Sequence, residues 1–496
     1  MKKIKIGITA FIIIFTLPFA LFSCSENDKK TDLQNNFPAD MDESENVEEP
    51  ESTTEEIKDS LPDNLDFGGE TLNLYAFANG KQFYIESETG DVFNDALYRR
   101  LISVEERLGM KINHIIEEVE DWNSNIPLTK IRASMAAGDR NYDLISGWAL
   151  KLTPLSVEGL FMNLHDIPYL TLSEPWWNKN IQKELTIGNK LHFIAGDICQ
   201  NLLMSTNCVT FNKSLIKEYG LPDLYEVVSE GKWTLDYMGE LVKNIYKDVN
   251  GDGIRGSEDL YGICFRADHH TVFTPSTNSQ LIKIGSDGYP HLDPDLERLA
   301  GLVEKVYDLL YENNGTIYTA SDNGDILDAM FKESRAMMVY CRLYDPQTYY
   351  RGVEWDYGIV PCPKYDEAQE QYYSFTGEYI SFLCVPNNCE KTELTGAFME
   401  AMAYESFKKV TPVLFDIVMD IKVARDEETV KMLDIIRSGA YMSFESMYKD
   451  SLGEAGNMME NLVRKKSKDF ASWYETNEIK ITNALNKFIA KIEEIG

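Results

Sequence analysis

From residue 70 to residue 147 the chain alternates between two hydrophobic periods, and no other feature of the sequence restricts its fold as much. Residues 70–77 alternate with a period of two, as a half-buried strand does. Asp91 can then cap a helix in which Phe93, Leu97, Leu101, Val104 and Leu108 recur at helical spacing until Gly109 stops it. Residues 111–116 read as a second strand, 125–137 as a second helix and 142–147 as a third strand. Strands separated by helices pair in parallel and carry the helices on the faces of the sheet, so the spacing predicts an α/β fold. Ligands of such sheets sit beyond the carboxyl ends of the strands, which nominates Ala78-Asn79-Gly80 and Gly147-Trp148 as parts of a cleft.

The rest of the chain continues in the same style. Strands are expected at 190–195, 207–211, 261–265, 336–340, 357–360 and 379–385, and helices at 213–219, 296–310, 324–333, 392–404, 427–436 and 478–495. No internal repeat is visible. With 496 residues, 44% of them hydrophobic, the chain can bury a large core, and its length points to two lobes.

The start of the chain is built differently. Lys2, Lys3 and Lys5 precede an apolar run from Ile6 to Leu21, the layout of a secretory signal. Leu21-Phe22-Ser23-Cys24 resembles a bacterial lipobox, so Cys24 is the expected site of a lipid anchor. An ordinary signal cleavage and an uncleaved anchor are the alternatives. Residues 25–64 hold 14 Asp or Glu against three Lys and hardly any large apolar side chains, so they cannot offset their ordering entropy and read as a solvated tether. No apolar stretch of membrane-spanning length follows. The net charge of −33 leaves −25 on the body after the signal and tether are set aside, a field that disfavours nucleic acid and anionic lipid surfaces as partners. Seven cysteines besides Cys24 are an odd number, which argues against a closed disulfide framework. Cys384 and Cys389 can bridge locally or stay as two buried thiols.

One metal-ligand spacing stands out. Asp248, Asn250, Asp252, Gly253 and Asp259 fall at positions 1, 3, 5, 6 and 12 of a twelve-residue calcium loop, with the Ile254 carbonyl at position 7. Asp259 replaces the longer Glu that usually closes such a cage. The loop follows an amphipathic helix capped by Thr234, with Leu235, Met238, Leu241, Val242 and Ile245 on one face, so a structural Ca2+ is expected at a helix end. An empty turn rich in Asp and Asn is the alternative. The Gly251-x-Gly253-x-x-Gly256 pattern inside it is not a dinucleotide fingerprint, because it follows a helix and its carboxylates would repel a pyrophosphate.

Leu21–Cys24, Tyr142–Trp148, Thr210-Phe-Asn-Lys213, Gly231-Lys-Trp-Thr-Leu235, Asp259-Leu-Tyr-Gly262, 331–339 and Gly358-Ile-Val-Pro361 together resemble the extracellular solute-binding lipoproteins of ABC importers, in the sugar-binding branch that includes maltose-binding protein. The resemblance spans residues 66 to about 410. It implies a periplasmic-binding-protein-like fold, with lobe one at 66–203 and 378–410 and lobe two at 204–377 and 411–496. A hinge joins the lobes, and a ligand is trapped between them. It further implies a monomeric, non-catalytic receptor on the outer face of the cell membrane, held there by its lipid alone, that passes a carbohydrate to permease subunits; a peptide or another non-sugar solute is the alternative ligand.

Within that frame Trp148, at a strand end and at the family's aromatic position, is the expected stacking platform. Arg266 and Asp268 follow a strand of lobe two and can make bidentate contacts or form an ordinary ion pair. Arg342 and Tyr344 stand where relatives place another aromatic. In Glu174-Pro-Trp-Trp-Asn178 adjacent tryptophans do not easily share one core, so Trp177 is a cleft candidate, whereas Trp233 reads as packing. Asp197, near the first crossing between lobes, is a ligand or a turn residue.

Two rival classes have weaker support. A secreted glycosidase needs a selected carboxylate pair, and no local motif marks one. A surface scaffold with a dockerin-like calcium module needs two adjacent loops, and one is present. The six histidines form no HExxH, and there is no GxSxG elbow. If Cys24 carries the anchor, Cys24→Ala should release the protein from membranes or stall its processing; unchanged membrane partitioning and unchanged mass of the mature chain would rule the anchor out.

Overall fold

A computed structural model describes residues 57–496 except 78–79, 120, 122, 320–323, 351, 378–379, 421–426 and 496. Cys24, most of the expected tether, and Ala78-Asn79 of the expected cleft therefore lie outside the described residues. Two mixed sheets organise the rest. The first contains β1 (Thr71–Ala76), β2 (Lys111–Ile116) and β3 (Leu144–Trp148). The second contains β4 (Asn207–Asn212), β5 (Tyr246–Lys247), β6 (Leu260–Phe265), β7 (Thr316–Tyr318), β8 (Ala336–Arg342) and β9 (Tyr357–Pro361), after which β10 (Ser381–Cys384) returns to the first.

In the first sheet, of order β10-β3-β1-β2, β1 pairs in parallel with both β2 and β3, as the alternation predicts. Ala76 lies opposite Ile116 on one side and Ser146 on the other, so β1 and β2 end level and β3 runs two residues further, to Trp148. The connection from β1 to β2 is α1 (Val92–Leu108), set by local chemistry. The Asp91 carboxylate accepts the Asn94 N–H at 2.9 Å, and Gly109 ends the helix at φ 56°, where a side chain would be strained. Leu97, Leu101, Val104 and Leu108 form its buried stripe. α2 (Ile126–Ala136) makes the next crossover. Strand β10 enters antiparallel, Ser381 opposite Trp148.

The second sheet, of order β9-β4-β8-β6-β5 with β7 also on β6, is less parallel. β4 runs antiparallel to both neighbours, and β6 pairs in parallel with β8 and β7. Residues 190–195 differ from expectation. They form isolated bridges, Ile187 to Lys190 and Ile194 to Leu383, because an adjoining extended segment docks on β10 without a continuous ladder. All seven cysteines from Cys199 to Cys389 are buried and free, Cys384 and Cys389 included.

The tryptophan pair also corrects the sequence reading. Trp176 and Trp177 are each 1% exposed, so both pack as core residues. Both fit one core because they share one acid. Glu400, on the helix Thr392–Glu405 (α5), accepts the Trp176 indole N–H at 3.2 Å, the Trp177 indole N–H at 3.0 Å and the Thr171 N–H at 3.1 Å. Burial raises the Glu400 carboxyl to about 7 even though these donors pull it down. A group whose folded pKa lies above its unfolded value near 4.5 stabilises the fold below that lower value and loses the contribution as pH rises through 7. Melting followed from pH 4.5 to 7 should therefore show the native protein losing stability relative to Glu400→Gln, which cannot ionise. Parallel curves would show that Glu400 is already charged in the fold.

Candidate ligand-binding cleft

The carboxyl ends of β1, β2 and β3 open into a cavity of about 960 Å³. Phe77 and Gly80 follow β1, Ile116 to Val119 end and follow β2, and Trp148 ends β3; all line it. The amino end of α1 contributes Val92, Phe93 and Asn94. Gln200, Asn201, Met204 and Ser205 come from the segment that leaves the first sheet for β4. From the end of β8 come Arg342 and Tyr344, the latter opening α4 (Tyr344–Tyr349). The cavity thus draws on both sheets.

Trp148 is half-buried on this wall, with the Phe77 ring edge-on at 6.4 Å between centroids and 87° between planes. That arrangement depends on Gly147. A β-carbon there would lie 2.0 Å from Phe77 Cζ, so glycine leaves the space that the supporting ring occupies. Tyr344 is 46% exposed, its ring edge-on to Tyr349 at 6.3 Å.

The polar groups divide by whether protein partners already claim them. Glu117 accepts Lys130 Nζ at 2.8 Å and the Tyr75 hydroxyl, and although burial pushes its carboxyl up these two donors hold it below the usual range. Arg342 donates its backbone N–H to Asp345 at 2.9 Å and brings Nη2 to 3.6 Å from Asp268. Asp268 lies 3.3 Å from Arg266 Nε. Arg266 and Asp268 are thus a supporting ion pair behind Arg342 and do not line the cavity themselves.

Asp197 is held still more firmly. Arg437, on α6 (Glu427–Ser438), reaches its two carboxylate oxygens at 2.5 and 3.2 Å, and the Thr411 hydroxyl donates at 3.1 Å. Burial pushes the Asp197 carboxyl up while Arg437 pulls it down. With Arg437 and Thr411 engaged, Asp197 is a clasp beside the cavity and not one of its described lining residues. Trp233 is fully buried and donates its indole N–H to Pro361 O at 2.8 Å, as a packing residue should.

The Asp-rich loop is placed elsewhere than expected. The helix before it, α3 (Leu235–Val242), stops early, and the loop connects β5 to β6, which pair antiparallel. It sits at the end of a hairpin, not at a helix end, because Tyr246 and Lys247 extend to pair with Tyr261 and Leu260. Asp248 accepts the Gly251 and Gly253 N–H groups at 2.6 and 2.9 Å, Asn250 accepts that of Asp252 at 3.0 Å, and Asp252 that of Ile254 at 2.7 Å. Asp259 is fully buried and accepts from Val249, Gly256 and the Tyr246 hydroxyl. Burial pushes its carboxyl up, but these three donors hold it below the usual range. Among the described residues no three His, Cys, Asp or Glu side chains gather as a metal site.

Sequence reasoning missed most of the polar lining. Glu117 could have been found, since it directly follows a strand of the parallel sheet, but nothing local distinguishes Gln82, Gln200 or Asn201 from surface amides. Gln82 is 6% exposed and both ends of its amide lack a partner among the described residues.

No family model matches this chain, and no curated protein matches it in sequence. Solved structures do. A cyclo/maltodextrin-binding protein complexed with maltotetraose superposes with a TM-score of 0.53 at 14% identity, over 86% of this chain and 97% of that one. The extracellular solute-binding protein from Staphylococcus aureus in complex with maltose gives 0.52 at 14% identity, with the same coverage. At this identity the likeness speaks for architecture, and it agrees with the two sheets and the cavity between them: the chain has the α/β, periplasmic-binding-protein-like fold of the solute-binding proteins.

Proposed function

We propose that this chain is a non-catalytic receptor at the outer face of the cell membrane that captures a carbohydrate, in particular an oligosaccharide, and delivers it to the permease subunits of an ABC importer. The observation that carries the reading is Trp148, half-buried at a strand end on the wall of a 960 Å³ cavity, with Arg342 and Tyr344 contributed from the other sheet. An aromatic face suits the apolar C–H patch of a sugar ring, and a planar guanidinium suits paired hydroxyls. The two solved neighbours, which hold maltotetraose and maltose, support the same ligand class. Glu117, bound to Lys130 and Tyr75, is poorly suited to protonate a leaving group, which favours binding over hydrolysis.

In this reading, 66–203 with 378–410 and 204–377 with 411–496 are the two lobes, Cys24 carries the lipid anchor, and the receptor works as a monomer. The loop of Asp248, Asn250, Asp252, Ile254 and Asp259 takes a structural Ca2+, supported by its spacing and by Gly251 and Gly253 at φ 76° and 72°, which allow its tight turns. No helix among the described residues is long and apolar enough to cross a membrane.

Trp148→Ala should weaken carbohydrate binding in calorimetry by about 2 kcal/mol or more while leaving melting unchanged. Were Trp148 only a core residue, melting would reveal a cost of ~3–5 kcal/mol with affinity per folded molecule intact. For the calcium loop, a chelator should lower the melting temperature of the native protein and not that of Asp252→Ala. Identical behaviour of the two proteins would make the loop a turn without a metal.

A further inference from the structure

The cavity beside Trp148 does not end at the row of strand ends. A second cavity of about 800 Å³ adjoins it and shares Gly80, Asn94, Ile116 and Glu118 with it. The shared floor is kept low by Gly80, where a β-carbon would come within 2.9 Å of Ile116 Cγ2. Each cavity alone is near the upper end of the ~300–1,000 Å³ that encloses a drug-sized ligand, so the pair has room for more than one or two sugar rings.

Tyr84 stands in the second cavity. It is 45% exposed and follows β1 in the segment that leads to α1. Its ring is not loose: His114, on β2, packs against it with centroids 4.9 Å apart. Burial pushes the His114 imidazole down to about 4, so the support is neutral at physiological pH. Glu86 and Glu118 also line this cavity, and no Lys or Arg is among its described lining residues. The compartment therefore presents an aromatic face in a negative field, which suits an uncharged sugar ring and opposes a sugar acid.

We propose that this compartment is a second sugar subsite, in which Tyr84 stacks on a neutral ring of an oligosaccharide whose other end lies against Trp148. The proposal rests on the carbohydrate reading above and adds to it the length and the charge class of the ligand. It can be tested by calorimetry with the di- and hexasaccharides of α-glucan, β-glucan, β-mannan and β-xylan, and with an oligogalacturonide as the acidic probe. In the series that binds, the hexasaccharide should bind more tightly than the disaccharide. Tyr84→Ala should weaken the hexasaccharide by about tenfold, as loss of one aromatic stacking contact does, and leave the disaccharide unchanged. Tyr84→Trp should restore the hexasaccharide, whereas Trp148→Ala should weaken both lengths. Binding that is indifferent to length, or a Tyr84→Ala variant that keeps the full preference for the longer ligand, would overturn the second subsite while leaving the carbohydrate reading intact. Tighter binding of the oligogalacturonide than of any neutral chain would overturn the charge class. If no saccharide of either length binds the native protein, the carbohydrate reading fails and the subsite with it. Because Tyr84 is substantially exposed, the variant should melt with the native protein.

Discussion

The parallel pairing of β1 with β2 and β3 is the constraint on which the rest of the molecule depends. Parallel strands in register end side by side, so Ala76, Ile116 and Ser146 sit in one row and the residues just beyond them converge without long side chains having to reach. Phe77, Glu117 and Trp148 come from segments far apart in sequence, yet each is within two residues of that row. A slip of one residue in any of these strands would turn its own inward-facing side chains outward, and in β3 it would remove Trp148 from the cavity wall. The antiparallel return of β10 strengthens the arrangement, because Ser381 opposite Trp148 covers the open edge of β3.

A small set of buried polar groups holds the segments that run between the sheets. Arg100, on α1, is 1% exposed and donates to Ile198 O at 3.4 Å, to the Ser406 hydroxyl at 2.9 Å and to Gln82 O. It therefore links the segment after β1 to the one that leaves the first sheet and to the π-helical stretch Ser406–Val410 that continues α5. Burial lowers its guanidinium to about 9, which still leaves it protonated at neutral pH, with neutral oxygens as its hydrogen-bond acceptors. The ion pair of Asp197 with Arg437 does comparable service nearby, and Asn207 and Asn201 bind Phe375 O and the Ser381 N–H at 2.8 and 3.3 Å. Leaving one member of such a set without its partner costs more than the hydrogen bond was worth, which keeps the crossings in one arrangement.

The charge of the whole chain and the charge of the cleft are separate matters. A net −33 makes the protein's far field negative and unsuited to polyanions, but the principal cavity contains Arg342, and Glu117, which also lines it, is paired with Lys130. Hydroxyl-rich, uncharged ligands are least affected by the far field. Stacking and directed hydrogen bonds can then decide recognition.

Much of this fold was legible in the sequence. Asp91, Gly109 and the stripe from Leu97 to Leu108 define α1 because capping and amphipathic burial act between residues a few positions apart, and the alternation of strand with helix already implied parallel pairing. Trp148 was legible as well, since a strand end in a parallel sheet is a position that sequence order supplies. Arg342 and Tyr344, named from the end of another strand, line the same cavity, but the other candidates could not be sorted from the sequence. Trp177 and Trp148 look alike locally, and they differ because Glu400, 223 residues further on, claims the indole N–H of Trp177. Asp197 would have been free for a ligand had Arg437 not reached it from 240 residues away. The Asp-rich loop closes a hairpin because Tyr246 finds Tyr261, not because its own residues require it. Local spacing thus determined the elements, their order and the cavity's first wall. Which polar groups were spent on the protein and which were left facing the cavity was decided only by tertiary contact, because burial and the choice of hydrogen-bond partner depend on segments that meet only when the chain is folded.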